Sequence, residues 1–411
     1  MIPEAIGRHA TRVSRWAAIA LGASIPVSTA LDNVLLAIVL LAWLVSGQAQ
    51  NILKFSLKNN KLLYPVLLFG LLAVGTLYGE SLRSTALSYL WKYSDLLFIP
   101  VLAMVFQQRE ARVHALHAFA IAIGIILLIS CLIRLGIFPL SPLITGTLDE
   151  PTVFKLRITH GMLVAFGAFL FAWLGMTATR LSLRIVWFGF AVLAVINVLL
   201  LTKSATAYPM LGLLIVLFGW ERTGWKGIAI AATAVIVIVV SQMMVPSAFR
   251  ARIYAIQKEI PLWLSGDVRA VDTSAGQRLE FYKNTVDIIA AHPLTGVGTG
   301  GLPQAYAQQV KGTGKPETHN PHNEFLNITA QIGIAGLLVL IAMFGMQWRT
   351  ARQLATPMEQ ALARGLVLTL VSGCLVNSLL LDHAEGLFYA WMSGLLYGGL
   401  KYPPDKLPAQ T

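Results

Sequence analysis

Twelve apolar stretches joined by mostly short polar connections leave this chain few ways to fold. They are Trp16–Thr29, Val34–Val45, Leu62–Tyr78, Ser94–Phe106, Leu116–Phe138, His160–Met176, Ile185–Leu201, Tyr208–Trp220, Gly227–Val245, Phe325–Met346, Leu362–Leu381 and Leu387–Leu400. Apolar runs of roughly 17 to 25 residues read as membrane-spanning helices, because in lipid only a helix satisfies its own backbone groups locally. Composition agrees: 12% of residues are charged and the mean hydropathy is +0.69, against about 25% charged in a soluble domain. The sequence therefore predicts an all-α integral membrane protein with about twelve transmembrane helices. Helices 1–9 occupy residues 1–245, a large and partly helical loop occupies 246–324, and helices 10–12 with a C-terminal tail occupy 325–411.

An even number of spans places both termini on one side. Loops on that side carry 17 of the 31 Lys and Arg residues, among them Arg8, Arg12, Arg15, Lys54, Lys58, Lys61, Lys401 and Lys406. The opposite side carries 13: Arg83, Lys92, Lys155, Arg157, Lys203 and eight in the large loop, with Arg134 near a span end. Short loops weigh most in orientation, so the termini read as cytoplasmic and the large loop as facing outward. The net charge of +12 is thus first a topology signal, and no nucleic-acid partner is expected. Cys131 and Cys374 both fall inside apolar runs, which argues against a disulfide framework or a metal cluster. No small-residue cleavage site follows the first apolar run, so no signal peptide is expected. Glu80–Tyr93, with Arg83 and Lys92, reads as an amphipathic interfacial segment.

Cations on the outward side oppose the orienting rule, so some interaction must favour them. Solvation or anionic headgroups would do so; a pocket for a phosphate-bearing ligand is the sharper reading. Ser274-Ala-Gly-Gln277 has the form of a capping box, followed by apolar residues at helical spacing until His292-Pro293. This puts Arg278 in the first turns of a helix, where an anion would also meet free N–H groups and the positive dipole end. Pairing with Glu280 or Asp272 is the bland alternative. Gly296-Val-Gly-Thr-Gly-Gly301 superficially matches a dinucleotide loop. No strand precedes it, so its glycines more plausibly allow backbone to pass close to a helix end or ligand.

In Asn320-Pro321-His322-Asn323, Asn320 suits an N-cap and Pro321 the first helical position. His322 then sits in the first turn of the next span, where the dipole favours a neutral imidazole able to accept a proton. The alternative is a His that merely caps or lines the interface. Lys155-Leu-Arg157 and His160 lead into one span, and Lys203-Ser204 ends another. Ionisable groups at span ends are site candidates by default, with snorkelling to headgroups as the alternative for Lys203. Asp382-His383-Ala-Glu385 is a charged outward turn. No spacing supports a metal site.

Taken together and in order, Gly276-Gln-Arg278-Leu-Glu280, His292-Pro-Leu-Thr-Gly296-Val-Gly298, His322-Asn323-Glu-Phe-Leu326 and Gly333-Ile-Ala-Gly336 resemble the O-antigen ligase and Wzy-type polymerase superfamily. His322-Asn323, then nine residues, then Gly333 is similar to the signature of lipopolysaccharide O-antigen ligases. The resemblance is clearest from Val198 to Leu340. It implies a multi-spanning, metal-independent, inverting glycosyltransferase of the bacterial inner membrane, without a cofactor and with a periplasmic active site. Its donor would be an undecaprenyl-diphosphate-linked polysaccharide and its acceptor a lipid A–core sugar. His322 and Arg278 match the family histidine and arginine and carry the catalytic expectation. Arg157, His160, Lys203, Ser204, His319, Asn323, Lys155 and Glu280 are expected around diphosphate and acceptor. One departure stands out: where the family often has Ser-Arg, this chain reads Lys203-Ser204-Ala205. Alternatives are a Wzy-type polymerase, a protein O-oligosaccharyltransferase and, from another class, a transporter of anionic solutes. Against the last, no internal repeat or matched pair of broken helices is visible.

Overall fold

The computed structural model describes residues 3–58, 60–79, 81–140 and 144–400. Among these residues the structure is helical and has no strand. The helices are α1 (Glu4–Ser24), α2 (Thr29–Val45), α3 (Ile52–Lys58), α4 (Leu63–Gly75), α5 (Arg83–Lys92), α6 (Asp95–Val105), α7 (Arg109–Arg134), α8 (Arg157–Thr177) and α9 (Leu181–Ile196). After a π-helical turn at Asn197–Leu201 come α10 (Ala207–Thr223), α11 (Trp225–Met244), α12 (Ala248–Leu264), α13 (Ser274–Ala291), α14 (Leu302–Val310), α15 (Glu324–Thr350), α16 (Pro357–Cys374) and α17 (His383–Tyr397). Glu80, Lys401 and Lys406 lie outside the described residues.

Each of the twelve apolar stretches contains one helix, but their lengths differ widely. Five are long and apolar enough to cross a membrane alone: α7, α8, α9 with its π turn, α11 and α15. A sixth arises if α2 is joined to Gln48–Leu57 across an 82° bend. The helix α4 has 13 residues, and α6 has 11 with Pro100 inside it. Hydropathy does not separate burial in lipid from burial in protein, and both occur here. In α8 89% of the apolar window is buried inside the bundle, whereas in α9 and α11 the values are 22% and 17%. The outer pair presents its side chains outward, as a multipass membrane protein requires. The predicted span Leu362–Leu381 is shortened because Asn377 and Ser378 turn the chain after Cys374.

The core centres on α17, whose residues from Glu385 to Tyr397 are all buried. Phe388 stacks on Phe119 at 5.4 Å and meets Phe166 edge-on at 5.3 Å. Trp391 donates its indole N–H to the Ala18 carbonyl at 2.8 Å.

The helix α15 is broken, and the break shapes the end of the bundle that carries the loop helices. Ile332 and Gly333 leave the helical region, Gly333 with φ 67° and ψ −165°. The carbonyls freed at Ala330 and Gln331 accept from Val297 N at 2.8 Å and Gly298 N at 2.9 Å, while Ile334 N donates to Pro293 O at 2.9 Å. Thr299 continues the plug by donating its N–H to Gly75 O at 3.0 Å and its hydroxyl to Leu72 O at 2.6 Å. The glycine-rich stretch therefore does let backbone approach a helix, and the helix it serves is an interrupted one. Irregular backbone at this depth persists only where protein satisfies it.

A Cβ at Gly333 would lie 2.0 Å from Leu294 O. We expect Gly333→Ala to destabilise by more than about 1–3 kcal/mol, lowering the thermal midpoint of detergent-solubilised protein. Gly345→Ala, in the same helix with nothing within 4 Å of its Cβ, should leave the midpoint unchanged or slightly raised.

Candidate active site

At about 100° per residue, α13 presents two opposite faces. Glu280 and Asn284 point towards α12 and α14. The buried Glu280 carboxylate accepts from Lys315 Nζ at 2.6 Å, Asn284 Nδ2 at 2.7 Å and Trp263 Nε1 at 3.0 Å. Burial alone would raise its pKa, but these hydrogen bonds outweigh it and hold the carboxyl below its ordinary value. Glu280, expected near substrate, is thus saturated as a brace of the loop.

The opposite face carries Arg278 and Tyr282, and Phe281 lies between the two faces, edge-on to Tyr306 of α14 at 5.9 Å. The Tyr282 hydroxyl is shared between the carbonyls of His322 at 3.1 Å and Leu375 at 3.3 Å. The His322 ring stacks on Phe281 with centroids 6.2 Å apart. It is thus Tyr282, one turn along α13 from Arg278, that touches the His322 segment.

His322 is not in the first helical turn. It has φ 55° and precedes the helix, and the N-cap is Asn323, whose Oδ1 accepts from Leu326 N at 3.0 Å. The expected caps at Asn320 and Pro321 fail because Asn320 Oδ1 is engaged by His322 N at 2.8 Å and Ser378 Oγ at 2.7 Å. Asn323 also reaches the α16–α17 connection, donating Nδ2 to Leu375 O at 3.0 Å. From that connection Asn377 sets its carbonyl 3.0 Å from His322 Nδ1. This orientation assigns the ring proton to Nδ1 and leaves Nε2 as an acceptor. Below, the buried Glu324 accepts from Tyr93 OH at 2.8 Å and Leu380 N at 3.0 Å.

The capping box is displaced by one residue: Thr273 is the N-cap of α13 and accepts from Gly276 N at 3.1 Å. Ala275 N donates to Glu259 Oε2 at 2.7 Å. The dipole end expected to receive an external anion therefore already holds a carboxylate. Arg278, by contrast, has no hydrogen bond or ion pair among the described residues. Burial depresses its pKa; Tyr282 pulls the other way, and Arg252 and Arg157 each add to the depression. The carboxylate nearest this trio is Glu259, 3.9 Å from Arg252. Like charges gathered in this way call for an anion.

The remaining candidates separate. Lys155 turns inward, its Nζ 2.9 Å from Thr29 Oγ1 and 3.7 Å from Asp32, with its pKa lowered by burial against the pull of Asp32. His160 is buried, accepts from Val153 N at 3.4 Å and sits 3.2 Å from Asn197 Oδ1 at the π turn. Ser204 is buried, with no partner for its hydroxyl. His319 is exposed, and its carbonyl accepts from Tyr89 OH at 2.8 Å. Lys203, with φ 49°, lines a cavity of about 770 Å³ together with Arg134, Asp149 and Arg250. Ala205 lines a different one, an almost wholly apolar groove of about 580 Å³ between α10 and α11 under α12. Arg252 stands on that groove as its one charged residue. Among the described residues no His, Cys, Asp or Glu group is placed to hold a metal ion.

Residues 190–341 match the family model described as O-antigen ligase. The resemblance read from the motifs holds over that stretch. The match runs from α9 through the groove, the loop helices and the break in α15, so it contains His322, Arg278 and Gly333. O-antigen ligase or polymerase chemistry is thereby supported in general. No curated protein matches the chain.

Two residues beside His322 and Arg278 have no place in the sequence expectations. Asn377 lies inside the expected span Leu362–Leu381, although the Asn-Ser pair within Leu375–Leu381 is a visible sign of a turn. Arg252 is one of the eight loop cations, with no role of its own. Because the carboxyl of Glu280 is held below its usual value, its brace is complete above about pH 4.5 and is lost as the pH falls beneath it. Glu280→Gln at neutral pH should weaken the brace by about 1–3 kcal/mol. Trypsin should then cut after Lys311 several-fold faster than in wild-type protein.

Proposed function

We propose that the chain is an O-antigen ligase of the bacterial inner membrane, crossing it about twelve times with both termini cytoplasmic. It moves a polysaccharide from undecaprenyl diphosphate to a lipid A–core sugar on the periplasmic side. The observation that carries this reading is an imidazole held by Asn377 and contacted by Phe281 and Tyr282 of α13, the helix that also bears the unneutralised Arg278 one turn before Tyr282.

In this reading the acceptor hydroxyl oxygen attacks the anomeric carbon from the face opposite the diphosphate. His322 Nε2 takes the hydroxyl proton, and Asn377 stabilises the resulting imidazolium through Nδ1–H, as the third member of a triad does. The bond from the anomeric carbon to the diphosphate oxygen breaks, with inversion. Arg278, Arg157 and Arg252 hold the departing undecaprenyl diphosphate and stabilise its charge. The apolar groove beside Arg252 suits the polyprenyl chain. In this arrangement Arg252, from α12, takes the place left by the uncharged Ala205, and Lys203 serves the neighbouring cavity. The leaving diphosphate is already a stable anion, so no general acid is needed.

Transfer is assayed with purified protein, polyprenyl-diphosphate glycan and lipid A–core, read as a gel shift of the core lipid. His322→Ala should lower the rate by about 10²–10⁴-fold with unchanged thermal midpoint; wild-type turnover would refute the base assignment. Asn377→Ala should cost about 10–100-fold and alter the pH profile rather than KM. If the glycan instead lengthens on polyprenyl diphosphate with the core lipid untouched, the chain is a polymerase using the same groups.

A further inference from the structure

A second cationic cavity lies at the far end of the bundle, away from the chemistry described above. Both α6 and α17 begin at the His322 end, where Asp95 and His383 stand 3.6 Å apart. They run away from it for 11 and 15 residues, about 16 and 22 Å at the helical rise. Beyond their ends, Met104, Val105 and Leu400 meet the first turns of α1 around a space of about 860 Å³. Arg8, Arg12 and Arg15 line it from one face of α1, spaced four and three residues apart.

The charges in this cavity are poorly matched. Arg8 reaches Glu4 at 3.3 Å, and both side chains are largely exposed. Arg12 and Arg15 have no hydrogen bond or ion pair among the described residues, and Arg15 Nε is buried without a partner. Arg112, also on the wall, is fully engaged by Glu359 at 2.9 Å and by the carbonyls of Phe106 and Gln107. A guanidinium N–H enclosed without an acceptor is costly, and a tetrahedral oxyanion is what its fork fits best. The wall is half apolar, with Met104, Val105, Ala355 and Leu400 among its residues. An amphiphile matches that mixture better than a free ion does.

We propose that this cavity binds the phosphate group of an anionic phospholipid, with Arg12 and Arg15 on the phosphate oxygens and Met104, Val105 and Leu400 against the first carbons of the chains. Its place at the N-terminal end makes it independent of the glycosyl-transfer site. The test is native mass spectrometry of the delipidated full chain with added phosphatidylglycerol or phosphatidylcholine. Wild-type protein should retain one phosphatidylglycerol that Arg12→Gln/Arg15→Gln holds about tenfold or more weakly. Arg15→Lys, which keeps the charge but lacks Nε, should lose part of the retention, and Arg180→Gln/Arg184→Gln should lose none. Thermal midpoints confirm that the variants are folded. Displacement of the lipid by inorganic phosphate alone would keep the phosphate site and overturn the lipid as its source. Equal retention by the double variant, or of phosphatidylcholine, would overturn the proposal. So would retention that appears only in a chain ending at Leu400, which would make the C-terminal segment the occupant.

Discussion

The end of the bundle that carries His322 depends on a pair of backbone carbonyls. When α15 breaks at Ile332 and Gly333, the oxygens of Ala330 and Gln331, both in buried residues, lose their helical donors. The stretch from Pro293 to Gly300 supplies the missing donors and is thereby drawn into the bundle between α4 and α15. That insertion fixes where α13 ends and α14 begins, and so where Arg278, Phe281 and Tyr282 face. The nine residues between Asn323 and Gly333 are the two and a half turns of helix from the cap of the span to its break. The spacing in the motif is thus the distance between two structural events.

The many cations expected on the outward face have distinct fates. Lys155 and Lys315 are neutralised by Asp32 and Glu280 and act as struts. Arg269 is held by Asp267 on the surface, where such a pair contributes little. Arg278 and Arg157 have no carboxylate partner, and Arg252 has a distant one. The sequence shows the whole set and cannot sort it, because sorting depends on which carboxylates the fold brings near. Glu280 lies two residues from Arg278, yet it points to the other side of the helix.

Much of the architecture was legible from apolar periodicity, since all twelve stretches contain helix, although α1 begins twelve residues before its expected start and α16 stops seven before its expected end. Whether each crosses a membrane was less legible, because α11 and α15 are nearly equal in hydropathy while the first is mostly exposed and more than half of the second is enclosed. Caps were read a residue or more away from their true positions. Asn323 and Thr273 displaced Asn320 and Ser274 because side-chain partners elsewhere in the fold decided which oxygen was free to cap. His322 and Arg278 were found by motif and by charge, but their connection through Tyr282 and Asn377 is a tertiary fact. Asn377 comes from an element 55 residues downstream.

The helix α12 separates the apolar groove from the recess that holds Lys203 and Arg250, and not one of its residues is fully buried. Its polar ties to α13 among the described residues are Arg252 donating to Ser274 Oγ, Trp263 Nε1 donating to Glu280, and Glu259 accepting from Ala275 N. Helices with few buried residues belong to the less stable parts of a fold. On the proposed function, a long amphiphile would enter the groove past α12 from the side, with no need to thread a pore.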